Sequence, residues 1–162
     1  MKNDNKLFSK IAELVAEQST CCRLKVGAIL VKDNRIISMG FNGVASNQTH
    51  CEDYFYALFN KQYKFMFKSY EEFLSSDIFY NLHGEFSNKN ELHAEQNAIA
   101  YAAKSGISTE DSSIYVTYSP CIHCAKIIAS CGIKKVFFNN LYDRSQDGIL
   151  FLKNNNIECI SI

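Results

Sequence analysis

The segment that decides the fold spans residues 113–139 and reads SIYVTYSPCIHCAKIIASCGIKKVFFN. Its start, SIYVTY, is rich in β-branched and aromatic side chains and predicts a strand, and KKVFFN predicts another. Between them, Pro120 stands at the favoured first position of a predicted helix that runs to Gly132. Because a strand, a helix and a strand in succession form a right-handed crossover, the two strands are predicted to pair in parallel.

The flanking segments extend this unit. A helix is predicted over about residues 93–105, with Gly106 as its C′ glycine, and a short helix over 148–153 precedes a last strand, IECISI. Near the N-terminus, apolar spacing predicts a helix over 5–19, and KVGAILV and RIISMGF form a predicted hairpin around residues 32–34. The predicted architecture is a three-layer α/β/α sandwich around a five-stranded mixed sheet whose last strands are parallel.

Residues 44–90 are the least regular part of the chain and are rich in Phe, Tyr, Asn and Ser. Residues 52–68 and 70–76 are predicted to be helical. A stretch of this length without a clear pattern is unusual in a compact domain and indicates a functional insertion. We therefore predict a single domain over residues 1–162 that carries an insertion at about 44–90.

Composition and charge narrow the function classes. Among the 162 residues, 47% are hydrophobic and 21% are charged, which is typical of a globular domain. Seventeen basic and seventeen acidic residues cancel, so the broad basic surface of a nucleic-acid-binding protein is not expected. The sequence predicts neither a membrane span nor a secretory signal, so we expect a cytoplasmic protein. In that reducing compartment, its seven cysteines are expected to be metal ligands or buried thiols.

Two short motifs form a candidate metal site. Cys121 and Cys124 have the C-x-x-C spacing that lets two thiolates bind one tetrahedral zinc at the first turn of a helix. This pair alone also suits a redox dithiol or a structural zinc knuckle. His93 and Glu95 form an H-x-E motif on the preceding helix. Together with Pro120, the residues complete H-x-E…P-C-x-x-C, the signature of zinc-dependent nucleobase deaminases.

The residue types fit the chemistry of a catalytic zinc. Three protein ligands, His93, Cys121 and Cys124, leave a fourth coordination position for water, whose pKa zinc lowers towards neutrality. We also infer that two helix N-termini converge on the metal and offset the thiolate charge. Glu95 is the predicted proton shuttle between water, the ring nitrogen and the leaving ammonia; without the cysteines, a carboxylate that stabilises its helix is the simpler interpretation. His123 points away from the i, i+3 face and is not expected to be a ligand.

These motifs and the segments around them resemble deoxycytidylate (dCMP) deaminases of the bacteriophage type, within the cytidine/deoxycytidylate deaminase superfamily. The similar segments are CCRLKVGAILVKDNRIISMGFNGV, HCEDY, NELHAEQNAIAYAA, IYVTYSPCIHCAKIIASCGIKKVFF and YDR. The resemblance implies a cytidine-deaminase-like fold and zinc-dependent hydrolysis of dCMP to dUMP and ammonia, which supplies dUMP for thymidylate synthesis. For a phage-encoded enzyme, the implied location is the host cytoplasm.

The resemblance also implies substrate-binding residues. Family members hold the nucleotide with the Asn of a Gly-aromatic-Asn-Gly motif, which Asn42 matches, although a turn residue beside Gly43 is the simpler interpretation of the sequence alone. A tyrosine after the fourth strand approaches the substrate in such enzymes and is matched by Tyr142, which is otherwise expected to be an interfacial aromatic residue. Ser119, just before the Pro-Cys turn, is expected to help seat the cytosine.

Phage enzymes of this type carry a second, structural zinc, and the matching positions all hold metal-competent side chains: Cys21, Cys51, His83 and Glu91. Such a metal would close the long insertion and offset its ordering entropy. The adjacent Cys22 and His50 are alternative ligands. Without a second zinc, the two cysteines would be core thiols, and the histidine and glutamate would be surface residues. Two further cysteines fit core positions, namely Cys131 and Cys159.

Regulation and assembly are implied by the resemblance alone. This class is commonly a hexamer that dCTP activates and dTTP inhibits, with Mg²⁺ accompanying the nucleotide effector. The expected effector residues lie near the Gly-Phe-Asn-Gly loop and on one helix face: Gly40, Phe41, Gly43, Tyr101 and Lys104.

Two alternative functions stay open on the sequence. Another deaminase of the same superfamily would act on dCTP, free cytidine, guanine or an adenosine in tRNA. The segment YDRSQDGILFLKNNN leaves space for a crossover helix, unlike free-cytidine enzymes, and the neutral charge disfavours nucleic acid. A zinc-stabilised binding module without catalysis would need no acid at the position of Glu95. We therefore expect a nucleotide substrate and neither a membrane nor a nucleic-acid partner.

Overall fold

The structure is a computed structural model that describes residues 4–142 and 146–162; Asp143 and Arg144 of the YDR match lie outside the described residues. The helices are α1 (Asp4–Ala16), α2 (Cys51–Leu58), α3 (Tyr70–Leu74), α4 (Asp77–Asn90), α5 (Ala94–Lys104), α6 (Ile122–Ser130) and α7 (Asp147–Asn154), and a π-helical segment, Phe59–Tyr63, continues α2. The strands are β1 (Gly27–Lys32), β2 (Arg35–Phe41), β3 (Gly43–Val44), β4 (Glu91–Leu92), β5 (Ser113–Tyr118), β6 (Lys135–Asn140) and β7 (Glu158–Ser161). None of the described helices is long and apolar enough to cross a membrane.

Five strands form the main sheet in the order β2-β1-β5-β6-β7, and β3 and β4 form a separate two-stranded ribbon. β1 pairs antiparallel with β2 and β5, whereas β5, β6 and β7 pair in parallel. The tight turn between β1 and β2 places Asp33 and Asn34 at φ 49° and 59°, as a two-residue type I′ hairpin requires. The predicted mixed sheet with parallel last strands is therefore confirmed.

Helices cover both faces of the sheet. On one face, α1 packs on an apolar cluster formed by Phe8, Ala12, Val15, Ile29, Val31, Tyr115 and Phe137. On the other face, α5, α6 and α7 pack on a larger cluster that includes Ala28, Leu30, Ile114, Val116, Val136 and Phe138. Because successive residues of a strand point to opposite faces, the continuous apolar run of β1 supplies both clusters. This arrangement confirms the three-layer sandwich.

The start of α6 differs from the sequence prediction. Cys121 is the N-cap residue with φ −71° and ψ 169°, so the first helical position belongs to Ile122 and not to Pro120. The helix ends at Ser130 because the chain turns at Gly132, whose φ is 73°. The shift matters for the site, since it places Cys121 at the helix N-terminus itself.

The sequence prediction missed α4 within the insertion. Its buried residues, Phe79 and His83, are one helical turn apart, but most of its other side chains are polar and Gly84 lies in its interior. The helix is stabilised by the Ser76 hydroxyl, which accepts a hydrogen bond from the Phe79 amide at 3.1 Å. Tertiary packing supplies the rest, through a third apolar cluster formed by Cys21, Cys51, Phe55, Phe59, Phe73 and Phe79.

Candidate active site and metal centres

Two helix N-termini meet beside the carboxyl end of β5. His93 is the N-cap residue of α5, and Cys121 is the N-cap residue of α6, with Cys124 in the first turn that follows. Both N-cap residues have extended backbone, so their side chains lie next to the unpaired amides of their helices. The Gln96 side chain accepts a hydrogen bond from the His93 amide at 3.0 Å and fixes the start of α5. The inferred convergence of two partial positive charges is confirmed.

Three donor atoms come together at this point. The Nδ1 atom of His93 lies 3.3 Å from the Sγ atom of Cys124 and 3.5 Å from the Sγ atom of Cys121. In a tetrahedral zinc site, bonds of about 2.3 Å to sulfur and about 2.0 Å to nitrogen separate these ligand atoms by about 3.5 Å. All three donors lie within 4.8 Å of one another. The residues therefore fit a zinc ion.

The pKa values of the two cysteines are shifted in opposite directions. Hydrogen bonds to the Cys124 thiol and to the His93 ring together lower the pKa of Cys121 to about 3, against the opposing effect of burial. The hydrogen bond to Cys121 and burial raise the pKa of Cys124, so that its proton stays in place. A hydrogen bond to Cys121 raises the pKa of His93 against the opposing effect of burial. A bound cation would allow the second thiol to lose its proton as well.

Glu95 lies in the first turn of α5 and is only 4% exposed. Burial raises the pKa of its carboxyl group, because the charged form is desolvated. A carboxyl group with a raised pKa holds a proton more readily than an ordinary one, as a proton-transfer group must do between accepting and releasing it. The electrostatics therefore suit a proton-transfer group beside the three metal donors.

These groups open onto one cavity with about 610 Å³ of empty space, including its mouth. The predicted site residues on its wall are His93, Glu95, Cys121, Asn42, Ser119, Tyr142, Cys21, His83 and Glu91. Arg23 and Tyr118 also line the cavity, although no sequence motif indicated them. Tyr118 ends β5 directly before the Ser-Pro-Cys turn, and the carboxyl end of a sheet strand is a common ligand position. For Arg23, no local pattern gave a comparable signal.

The side chains of Asn42 and Ser119 support the cavity wall. Asn42 Oδ1 accepts from the Val26 amide at 2.7 Å, and its Nδ2 donates to the Leu24 carbonyl at 2.9 Å. The Ser119 hydroxyl accepts from the Tyr142 amide at 2.8 Å. Each amide or hydroxyl group has hydrogen-bonding capacity left over. Both residues therefore fix backbone segments that border the cavity.

Comparison with known proteins agrees with this geometry. The family model for the cytidine and deoxycytidylate deaminase zinc-binding region matches residues 1–140. The chain belongs to this family. It is 41% identical to the deoxycytidylate deaminase of Enterobacteria phage T2, over 86% of this chain and 81% of the relative, and 42% identical to that of phage T4, over 86% and 79%. The dCMP deaminase of cyanophage S-TIM5, in complex with dCMP and dUMP, superposes with a TM-score of 0.76 at 34% identity and covers 100% of this chain and 99% of its own.

A second group of donors lies in this deaminase domain beside the catalytic one. The donor atoms, which lie within 4.8 Å of one another, belong to Cys21, Cys51, His83 and Glu91. His83 Nε2 is 3.2 Å from Cys21 Sγ, and Glu91 Oε1 is buried without a hydrogen-bond partner among the described residues. Hydrogen bonding to Cys51 and burial raise the pKa of Cys21. A buried acceptor without a partner is costly, so this group also fits a cation.

The remaining cysteines and histidines lie outside both groups. Cys22 Sγ is 3.4 Å from Cys51 Sγ and borders the second group, whereas His50 is exposed and contacts Thr20 at 3.2 Å. His123 is also exposed. Two half-buried cysteines, Cys131 and Cys159, pack against the main core.

The residues expected to bind effectors do not line the cavity. Gly40 packs against α5, because a Cβ atom there would lie 2.3 Å from the Ala98 amide nitrogen. Gly43 in β3 faces open space. The others are exposed on β2 and α5, namely Phe41, Tyr101 and Lys104. The structure gives Gly40 a packing role, and the effector role stays a prediction.

Proposed function

We propose that this protein is a dCMP deaminase that hydrolyses dCMP to dUMP and ammonia. The observation that carries the proposal is the meeting of three metal donors beside a cavity whose wall includes two of them, His93 and Cys121, together with the buried Glu95. Two phage relatives are named deoxycytidylate deaminases, and the cyanophage structure holds dCMP and dUMP. These relatives support the nucleotide as the substrate class.

The mechanism assigns roles to residues on the cavity wall and directly behind it. His93, Cys121 and Cys124 would hold a zinc ion, which supplies Lewis acidity when bound. Glu95 accepts one proton from the attacking water and delivers it to the ring nitrogen of cytosine. It then accepts the second proton from the added oxygen and delivers it to the amino group, which leaves as ammonia while the carbonyl of uracil forms. Burial of Glu95 supports this role, because a carboxyl group with a raised pKa holds the proton between the two transfers. Tyr142 and Ser119 line the same cavity, and the nucleotide would lie against them.

We further propose that the second donor group holds a structural zinc. The four residues come from four segments: the chain after α1, α2, α4 and β4. One metal would therefore tie the insertion to the N-terminal region, and the buried Glu91 oxygen would gain the partner that it lacks among the described residues. The thiols of Cys21 and Cys51 are buried, which favours a closed structural site over a catalytic one.

Regulation and assembly belong to the proposal as well. We propose a hexamer that dCTP with Mg²⁺ activates and dTTP inhibits. Exposed apolar side chains on the edge strand β2 and on α5 support a subunit interface there, with Met39 and Tyr101 both 59% exposed. Phe41 and Lys104 flank this surface in the sequence and are the expected effector contacts.

The ultraviolet absorbance of dCMP incubated with the purified zinc-loaded protein tests the proposal, with dCTP and Mg²⁺ added as activators. We expect conversion to dUMP with one ammonia released per dCMP consumed. Turnover of dCTP or cytidine, but not of dCMP, would instead indicate a different member of the superfamily. Zinc-loaded protein that converts none of these substrates, nor RNA, would be a binding module, and the proposed function would be wrong.

A further inference from the structure

Two cysteine thiols are in contact at the border of the second donor group. Cys22 Sγ lies 3.4 Å from Cys51 Sγ, with one thiol as the hydrogen-bond donor to the other. Cys51 belongs to the four-residue donor group, whereas Cys22 does not. The proposed metal centres therefore leave Cys22 without a role, although its sulfur lies against that of a proposed ligand.

The two thiols differ in their access to solvent. Cys51 is fully buried, whereas Cys22 is half-buried. A thiol that a small oxidant reaches, next to a thiol that it does not reach, is the arrangement of a redox-sensing cysteine with its resolving cysteine. In reducing compartments, the disulfides that do form are mostly transient and redox-sensing.

The backbone segments that carry the two thiols are already joined. Cys22 lies in a bend between α1 and β1, and Cys51 is the first residue of α2. The amide of the next residue, Glu52, donates a hydrogen bond to the Thr20 carbonyl at 3.2 Å. A disulfide brings its sulfurs to about 2.0 Å. The remaining approach falls on two side chains and on a segment without helix or strand, and not on the main sheet.

The third thiol of this cluster, Cys21, is placed differently. Its Sγ atom lies 3.2 Å from His83 Nε2, and only 3% of the residue is exposed. Of the three thiols, Cys22 is thus the one that is open to solvent. A first oxidation is therefore expected at Cys22.

A tyrosine hydroxyl completes the surroundings of the pair. Tyr70 and Cys22 pack on the same aromatic cluster, and the Tyr70 hydroxyl is buried without a hydrogen-bond partner among the described residues. Burial raises the pKa of Tyr70, and the neighbouring Cys22 and Cys51 raise it further, so the hydroxyl keeps its proton beside the two sulfurs. A buried donor without a partner can bond an oxygen atom that is added to Cys22.

We infer that Cys22 and Cys51 form a reversible disulfide when hydrogen peroxide reaches the protein, and that this bond takes Cys51 away from the second donor group. The Cys22 sulfur attacks one peroxide oxygen, the O–O bond breaks, and the released hydroxide takes the thiol proton to become water. This step leaves Cys22 as a sulfenic acid, to which the Tyr70 hydroxyl donates. The Cys51 sulfur then attacks the Cys22 sulfur, the S–O bond breaks, and the hydroxide leaves with the Cys51 proton as a second water. Two thiols are thus oxidised by two electrons, and one peroxide is reduced to two waters.

The disulfide would act on the cavity through the second donor group. A disulfide sulfur lacks the thiolate charge that binds zinc, so three donors would remain: Cys21, His83 and Glu91. These three residues also line the cavity. Oxidation should therefore release the metal and loosen this part of the wall, and reduction should reverse both effects. The release of metal rests on the proposed structural zinc, whereas formation of the disulfide does not.

Peptide mapping of the zinc-loaded protein after exposure to hydrogen peroxide tests the pair directly. We expect a link between Cys22 and Cys51 that dithiothreitol removes, with the free thiols, counted after unfolding, falling from seven to five. A chromogenic chelator should detect one zinc released in step with the link. A folded protein in which both thiols stay reduced, or whose only link joins other cysteines, would overturn the inference. A link in a protein that never held a second zinc would show that the redox pair is right and the structural zinc wrong.

Matched cysteine variants separate the two roles. Cys22→Ala should keep its zinc before oxidation and release it in peroxide at least about 10-fold more slowly than wild type. Cys51→Ser lacks the resolving thiol and should accumulate the sulfenic acid on Cys22, which dimedone traps. Cys131→Ala removes a half-buried thiol outside both donor groups and should form the link at the wild-type rate. Zinc release from Cys22→Ala as fast as from wild type would contradict the role of Cys22.

Tyr70→Phe keeps the ring and removes only the hydroxyl. We expect the link to form about 3- to 10-fold more slowly, because the oxygen on Cys22 loses its donor, with the melting temperature unchanged. Tyr54→Phe removes an exposed hydroxyl of α2 and is the control. Equal rates in the two variants would exclude Tyr70 from the reaction. Because none of these measurements needs turnover of dCMP, failure of the proposed deamination would leave their outcome unaffected.

Discussion

The His93 Nδ1 atom lies 3.3 Å from the Sγ atom of Cys124, although His93 starts a helix that precedes β5 in the chain and Cys124 lies in the helix that follows it. This separation is close to the ligand-to-ligand distance of about 3.5 Å in a tetrahedral zinc site. The N-terminus of α5 and the N-terminus of α6 are therefore joined by the same centre. Loss of either residue should change metal content as well as activity.

Replacing Cys124 with Ala tests this relationship. Two remaining donors do not complete a catalytic zinc site, so we expect one zinc fewer per chain and a kcat below detection. Metal analysis by atomic emission, together with the dCMP assay, measures both effects. Cys131→Ala is the control, because that half-buried thiol lies outside both donor groups. An unchanged zinc content in Cys124→Ala would remove Cys124 from the ligand set.

Replacing Glu95 with Gln separates proton transfer from metal binding. The amide keeps the size of the side chain but cannot shuttle a proton, so kcat should fall by about 10²- to 10⁴-fold. Zinc content should equal that of wild type, since Glu95 is not among the three donors. Glu85→Gln makes the same change at an exposed carboxylate of α4 and should leave kcat unaltered. A fully active Glu95→Gln protein would contradict the mechanism.

The sheet and its crossovers were predictable because strand patterning is local. SIYVTY was predicted as a strand and is β5 without a shift, and the Asp33-Asn34 turn follows from residues that tolerate positive φ. Helix α4 was missed because only Phe79 and His83 among its residues are buried, too few to give a clear helical period. Packing on the aromatic cluster, which is distant in sequence, decides that segment.

The candidate site was also predictable from the sequence only in part. The metal ligands could be predicted, because zinc restricts both the type and the spacing of its ligands. The donors His93, Cys121 and Cys124 do come together in the structure. The other residues that line the cavity could not be predicted from the sequence. Arg23 is positioned by the Tyr80 ring on α4 and by the Asn42 side chain, which bonds the neighbouring Leu24. Both contacts come from distant parts of the chain, so no local sequence pattern predicts them.

Replacing Cys51 with Ala tests the proposed structural zinc. Cys51 is fully buried beside Phe55 in the insertion cluster. We expect metal analysis to give one zinc per chain in place of two, and the melting temperature to fall by about 10 °C because the bound metal stabilises the folded chain. Cys159→Ala removes a half-buried thiol outside both groups and should keep both metals. Two zinc ions in Cys51→Ala would show that Cys51 is not a ligand.

Replacing Gly40 with Ala tests the packing of α5 against β2. The new Cβ would lie 2.3 Å from the Ala98 nitrogen and 2.6 Å from the Ala94 carbonyl oxygen, and backbone atoms cannot move aside easily. We expect the free energy of unfolding, measured with urea, to fall by about 3 kcal/mol. Gly43→Ala is the matched control, because nothing lies within 4 Å of its added Cβ. Equal stability of the two variants would contradict the close approach.

Replacing Ser119 with Ala tests the part of the cavity wall that Ser119 and Tyr142 form. Ser119 is 4% exposed, and its hydroxyl accepts a hydrogen bond from the Tyr142 amide at 2.8 Å. Loss of this hydroxyl therefore leaves the amide without its acceptor. The chain after β6 should then move away from the cavity. We expect kcat/KM for dCMP to fall by about 10-fold, because one hydrogen bond is worth about 1 kcal/mol and the displaced cavity wall adds to that loss. Ser130→Ala removes an exposed hydroxyl that bonds its own helix and should have no effect. Because Ser119 is not a proposed metal ligand, the zinc content of Ser119→Ala should equal that of wild type. A loss of zinc would show that the turn at Ser119 positions the metal ligands and does not support the cavity wall.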